Sequence, residues 1–190
     1  VNVRDVASLR RLFAGTPFDD EVVDFSSALG HAPKSAGDLL LVGTEVHEPW
    51  HFAAHLGDEA RWNGRPELEP TLVRWQVPTG ARPHLAVGLE RLEAVRANEA
   101  LLVVSPDVTA ERLLDRVDDA RRRGAVVLAM ETDDPDLRGL AHEKLTVPSS
   151  DDLPYLDVAQ HVISATAPAG QSQRRSLWSR LARMMESSQP

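Results

Sequence analysis

Two clusters in this sequence have residue types and spacings that could do chemistry. The first is His47-Glu48-Pro49-Trp50-His51, which satisfies the H-E-x-x-H pattern, with His55 one helical turn beyond. In zinc hydrolases both His residues share one face of a continuous helix, and the Glu between them serves as base to the metal-bound water. Pro49 opposes that geometry, because proline suits the first position of a helix. A helix is therefore predicted to start at Glu48 or Pro49, with His47 outside it and only His51 and His55 on a common face. No metal is assigned to these residues, and metal-dependent hydrolysis is a third, less favoured functional reading, followed by a purely structural partner.

The second cluster is Ser105-Pro106-Asp107-Val108-Thr109-Ala110-Glu111, which follows an apolar run and precedes a helical pattern. Ser and Thr hydroxyls together with backbone N–H groups at a helix start can surround an anion. Here Pro106 removes one N–H, and Asp107 brings a carboxylate to the place an anion would take. Ser105 and Asp107 are also ordinary helix caps, and either would suit a helix beginning near Val108 and Thr109.

The elements that must position these clusters follow from hydrophobic patterning. Leu39 to Val42, Leu101 to Val104 and Ala125 to Met130 are apolar without alternation, as strands covered on both faces are. Leu72 to Val77 and Lys144 to Val147 are weaker versions. Helical segments are predicted between and after them, at Pro49 to Trp62, Ala86 to Ala97, Thr109 to Arg123, Pro135 to His142 and Asp152 to Ala165. Strands alternating with crossover helices indicate an α/β three-layer sandwich around a five-stranded parallel sheet. Two amino-terminal helices precede it. Val3 to Phe13 carries an apolar stripe, and the next has Asp19 and Asp20 in its first turn with Val22, Val23, Phe25 and Leu29 as core candidates. The expected organisation is thus residues 1–37 as helices packing on the core or on a partner subunit, 38–166 as the α/β domain, and 167–190 as a polar, basic tail. The tail holds one short amphipathic unit around Leu177 and Leu181.

Composition narrows the function classes. The chain has 190 residues, 21 Lys or Arg against 29 Asp or Glu, a net charge of −8 and no Cys. A net negative surface disfavours general nucleic-acid binding. The absence of Cys removes thiolate catalysis, zinc fingers and disulfide frameworks. The apolar runs are far shorter than a membrane span. Val1 to Ala14 mixes Arg4, Asp5, Arg10 and Arg11 among apolar residues, unlike a signal peptide, so a cytoplasmic location is expected.

From Leu101 onward the chain resembles the sugar isomerase (SIS) domain. That family shows a strand, a loop of the form S-x-S-G-x-T-x-E, a helix ending in R-x-G, a hydrophobic strand, a polar loop and a closing L-A-x-x-A-D-x-x-L-x-V-P. Here Leu101-Leu102-Val103-Val104 leads into Ser105 to Glu111, a helix ends at Arg123-Gly124, and Leu137 to Pro148 holds Leu140-Ala141, Leu145, Val147 and Pro148. His142-Glu143 stand where the family often has Ala-Asp. Aligned on Thr109 and Glu111, the two family serines become Val104 and Pro106, and the glycine becomes Asp107. The first loop differs as well, with Gly43-Thr44-Glu45-Val46-His47-Glu48 in place of G-x-G-x-S. The chain is therefore similar to a degenerate branch that lacks the full phosphosugar loop.

The resemblance implies a flavodoxin-like strand topology and a homo-oligomer, in the simplest case a homodimer. It also implies a site where the loops after the first and third strands converge, the favoured ligand position in open α/β sheets. Gly43, Thr44, Glu45, Ser105, Asp107 and Thr109 are the expected ligand-binding residues, and no cofactor is expected. The leading functional expectation is a SIS-like module that binds a phosphorylated sugar or related polar metabolite, regulatory or of unknown activity, with simple sugar phosphates bound weakly. The alternative is an aldose–ketose phosphosugar isomerase, in which His47, Glu48 or Glu111 would supply the acid and base that move a proton between adjacent carbons.

Overall fold

The computed structural model describes residues 17–82, 85–149 and 155–168. The expected helix at Val3 to Phe13 and the basic tail from residue 169 lie outside the described residues. In chain order the elements are α1 (Pro17–His31), β1 (Leu39–Gly43), α2 (Trp50–Trp62), a 3-10 turn (Pro66–Leu68), β2 (Thr71–Val73) and a second 3-10 segment (Leu89–Ala94). They continue with β3 (Ala100–Ser105), α3 (Glu111–Arg122), β4 (Val126–Glu131), α4 (Pro135–Leu140), β5 (Glu143–Thr146) and α5 (Tyr155–Thr166).

The strands form one five-stranded sheet in the order β2-β1-β3-β4-β5, and every pairing is parallel. This is the flavodoxin-like order expected from the sequence. Burial explains the unbroken apolar runs. Leu39 and Leu41, Leu102 and Val104, and Leu128 and Met130 face a core shared with Val22, Phe25 and Leu29 of α1, Phe52 and Leu56 of α2, and Val158 and Ile163 of α5. Leu40 and Val42, Leu101 and Val103, and Val127 and Ala129 face the opposite core, with Leu113 and Val117 of α3 and Leu137 of α4. A strand whose odd and even positions both meet helices has no polar face to show.

Two predicted elements differ. The helix expected over Ala86 to Ala97 is a 3-10 segment, Leu89–Ala94. Its buried residues Leu89 and Leu92, followed by buried Val95, recur every third position, which places them in line at three residues per turn. The strand expected over Leu72 to Val77 ends at Val73. Arg74 makes only an isolated bridge to Gly88, and Trp75 turns its indole N–H onto the Gly43 carbonyl at 2.8 Å.

Candidate ligand site at the carboxyl end of the sheet

In this strand order the connections leave β1 and β3 in opposite senses, so the carboxyl ends of these two strands are the topological switch point. Gly43 closes β1 opposite Val104 of β3, and the β1 loop folds straight back over it. A Cβ on Gly43 would lie 1.9 Å from the His47 carbonyl oxygen and 2.5 Å from Pro49 Cδ. Only a residue without a side chain permits this approach. The His47 N–H donates to the Thr44 carbonyl at 3.2 Å, which fixes the fold-back. Pro49 then stands at the N-cap of α2, so His47 lies outside the helix as the sequence predicts. Among the described residues no group of three or more His, Asp or Glu side chains is placed to hold a metal ion.

The fold-back leaves polar atoms enclosed. Thr44 is 5 % exposed, and its hydroxyl has no hydrogen-bond partner. The same holds for Nε2 of His47. Burial pushes the His47 imidazole below its ordinary pKa, opposed by the nearby carboxylates of Asp157 and Asp107. His47 is therefore a neutral ring lying in the field of groups from both α5 and the β3 loop. Glu48 is committed elsewhere: Arg74 donates to one of its carboxylate oxygens from Nε at 3.1 Å and from a terminal nitrogen at 2.5 Å. Glu45 is exposed, as is Val46 at the tip of the loop.

The β3 loop is built differently. Ser105, Glu131 and Thr146 end their strands in register, forming a polar row across the sheet end. Glu131 and Asp134 are both fully buried. Glu131 accepts from Arg138 at 2.8 and 2.9 Å, from the Thr146 hydroxyl at 2.5 Å and from the Asp134 N–H at 2.7 Å. Asp134 in turn accepts the Thr109 N–H at 2.7 Å on one oxygen and the Leu137 N–H at 3.0 Å on the other. The Thr109 hydroxyl donates to Ser105 Oγ at 2.9 Å, and Ser105 Oγ lies against the Asp107 carbonyl and 3.4 Å from Asp134. Burial pushes both buried carboxyls up, but the donors around them outweigh it and hold each below its ordinary pKa.

This arrangement corrects the expected capping role of Ser105 and Asp107. The helix α3 starts at Glu111, later than expected, so its N-cap is Ala110, which makes no side-chain bond, and Ser105 and Asp107 lie too early in the chain to cap it. Asp107 meets the loop through its carbonyl and leaves its side chain exposed. Asp134 is instead the cap of α4. Glu111 is exposed in the first turn of α3. The structure thus brings Gly43, Thr44 and His47 together in one loop and Ser105, Asp107 and Thr109 in the next. Glu48 pairs with Arg74, and Glu45 and Glu111 face solvent.

A cavity of about 130 Å³ opens between α2 and α5, lined by His51, Phe52, His55, Asp157, Gln160 and His161. The His51 and His55 rings stack at 5.6 Å, and His161 meets His55 edge-on at 4.6 Å. Gln160 is 6 % exposed, and its amide nitrogen has no partner. Burial, then repulsion from His55, lowers the His161 pKa, while Asp157 opposes both. A broader groove of about 620 Å³ follows the β2 edge past Trp50, Gly57, Leu72 and Leu85 and contains none of the predicted site residues.

Sequence reasoning missed Asp134, Glu131 and the α5 residues. The Asp134-Pro135 pair carries the signal of a helix start, but its reach back to Thr109 is a tertiary contact that no local pattern encodes.

No protein-family model matches this sequence, and no curated protein matches it. Solved structures do match in fold. A candidate phosphosugar isomerase from Silicibacter pomeroyi DSS-3 superposes with a TM-score of 0.58 at 15 % identity, over 96 % of this chain and 54 % of that one. A candidate sugar-binding protein from Salmonella typhimurium LT2 gives 0.53 at 19 %, over 95 % and 53 %. The sugar isomerase domain of an RpiR transcription factor from Sphaerobacter thermophilus gives 0.53 at 13 %, over 88 % and 86 %. This chain spans about half the length of the first two.

Proposed function

We propose that this chain, which has the SIS-like α/β fold, is a binding module for a small sugar-like polar metabolite, held at the β1/β3 switch point. The observation that carries the reading is the pair of enclosed, unpartnered polar groups in the β1 loop, the Thr44 hydroxyl and His47 Nε2. Buried polar atoms are nearly always satisfied, so a loop that retains two without partners is suited to a ligand that supplies them. A neutral imidazole and a hydroxyl each donate and accept, which matches the hydroxyl groups of a sugar. The sugar-binding and sugar-isomerase descriptions of the structural neighbours support the same ligand class.

Binding is favoured over isomerisation by the state of the acidic candidates. Moving a proton between adjacent carbons needs a base and an acid in reach of the same substrate. His47 has the neutral form a base requires, but Glu48 beside it is held in an ion pair by Arg74. The test is calorimetry across a panel of sugars, polyols and sugar phosphates on the wild type, Thr44→Val and His47→Leu. Each substitution is expected to weaken the best ligand by about tenfold, the worth of one or two hydrogen bonds. Unchanged affinity in both variants would remove the β1 loop as the site. Aldose-to-ketose conversion, followed by proton NMR, would move the reading to the isomerase.

A further inference from the structure

We infer that Asp134 is a resident anion of the β3 loop and the specificity-determining residue of the switch point, turning it away from phosphate esters and toward uncharged sugars or polyols. The ligand preference rests on the binding reading above, whereas the occupancy of the loop stands on geometry alone.

The loop after β3 presents a backbone N–H and two hydroxyls, the donors that a phosphoryl group would use. In this chain they are already engaged. The Thr109 N–H points at Asp134 Oδ2 at 2.7 Å, and the Ser105 hydroxyl, itself contacted by Thr109 Oγ1, lies 3.4 Å from the same oxygen. Asp134 cannot easily withdraw. Its second oxygen caps α4 through the Leu137 N–H, and its own N–H is fastened to Glu131, which Arg138 and Thr146 hold in turn. With Asp134 in place, and the Ser105 hydroxyl also against the Asp107 carbonyl, none of these three donors is left for a second anion, and the buried carboxylate repels one nearby. Pro106 removes a further donor from the same loop. The neighbouring β1 loop encloses the Thr44 hydroxyl and His47 Nε2 without partners, groups that pair with hydroxyls without needing charge.

The agent of exclusion is thus Asp134. Asp107, which the sequence places where the anion would sit, keeps its side chain exposed. A single residue from the β4 loop has taken over the contacts of a ligand and fixed them in the folded chain.

Inorganic phosphate is the probe, titrated at constant ionic strength and followed by calorimetry and by the amide resonance of Thr109. The wild type is expected to show neither saturable heat nor a shift at Thr109. Asp134→Ser keeps a hydroxyl to cap α4 but removes the charge and opens the space, and is expected to gain phosphate affinity by about tenfold or more, with a shift at Thr109. Asp134→Asn removes the charge but keeps the shape and is expected to gain less. Equal phosphate binding by the wild type, or a folded Asp134→Ser that gains none, overturns the inference. Should a variant fail to fold, the wild type still decides, since a saturable shift of its Thr109 amide also overturns it. Sugars that bind the wild type more tightly as phosphate esters than as parent sugars would refute the specificity role. A wild type that binds no sugar at all, alongside an Asp134→Ser that gains phosphate, would refute the module reading and leave the occupied loop standing.

Discussion

The β1 and β3 loops leave the same end of the sheet as neighbours, yet they treat their polar groups in opposite ways. The β3 loop turns Ser105 and Thr109 inward onto Asp134, and Asp134 onto Glu131, so that each buried carboxylate meets several donors. The β1 loop folds back on Gly43, spends its backbone on its own turn and encloses a hydroxyl and an imidazole nitrogen with no partner. A buried carboxylate is tolerable only when paired and hydrogen-bonded, whereas a hydroxyl or neutral ring left unpaired costs about 1–3 kcal/mol. The satisfied loop is consistent with a structural strut, and the unsatisfied one with a place where binding energy is held in reserve.

The contrast is broken most directly at Glu131. Its replacement by Ala strips the acceptor from Arg138, Thr146 and the Asp134 N–H together, and should destabilise the fold by about 3 kcal/mol in urea denaturation. Arg138 is about a third exposed and can recover some hydration, which keeps the expected cost at the lower end for a broken buried pair. A loss under about 1 kcal/mol would mean that the β3 loop does not depend on this network.

A second test sharpens the contrast through pH. Burial lowers the His47 pKa in the folded chain, so the folded state holds its proton less well than the unfolded state, whose value is near the ordinary 6.5. Stability from this group is intact above about 6.5 and falls as pH descends from there through the depressed folded value. His161 acts with the same sign, so the measurement is the difference between wild type and His47→Leu across this window. The slope of unfolding free energy against pH should be shallower in the variant. Identical slopes would show that His47 is as well solvated as in the unfolded chain.

Much of the fold was legible in the residues, for reasons the two faces of the sheet make plain. Runs such as Leu39 to Val42 and Leu101 to Val104 are apolar at every position because helices cover both sides, and that burial is written locally. Pro49 announced the start of α2 in the same local way. The 3-10 segment was hidden because Leu89, Leu92 and Val95 also fit one side of an α-helix over so short a span. The candidate site was legible only in its loops. Ser105 and Thr109 were visible as donors, but which carboxylate they meet depends on the β4 loop 25 residues beyond Thr109, and chain distance hides that pairing. Likewise Asp157 bears on His47 only because α5 packs beside α2.

The smallest expected effect separates the loops most cleanly, because it asks whether removing a hydroxyl costs anything. Thr109→Val in the β3 loop deletes a donor to Ser105 and should lose about 1 kcal/mol, the usual net worth of such a bond. Thr44→Val in the β1 loop replaces an enclosed hydroxyl without a partner by a methyl of similar volume. Its removal relieves a desolvation penalty and breaks no bond, so stability should hold or rise by up to about 1 kcal/mol. The two variants make the same chemical change at 3–5 % exposure, so unfolding midpoints measured side by side cancel the difference in side-chain propensity to first order. Equal losses in both would mean that the Thr44 hydroxyl has found a partner, such as an ordered water, and the β1 loop would then be as saturated as its neighbour.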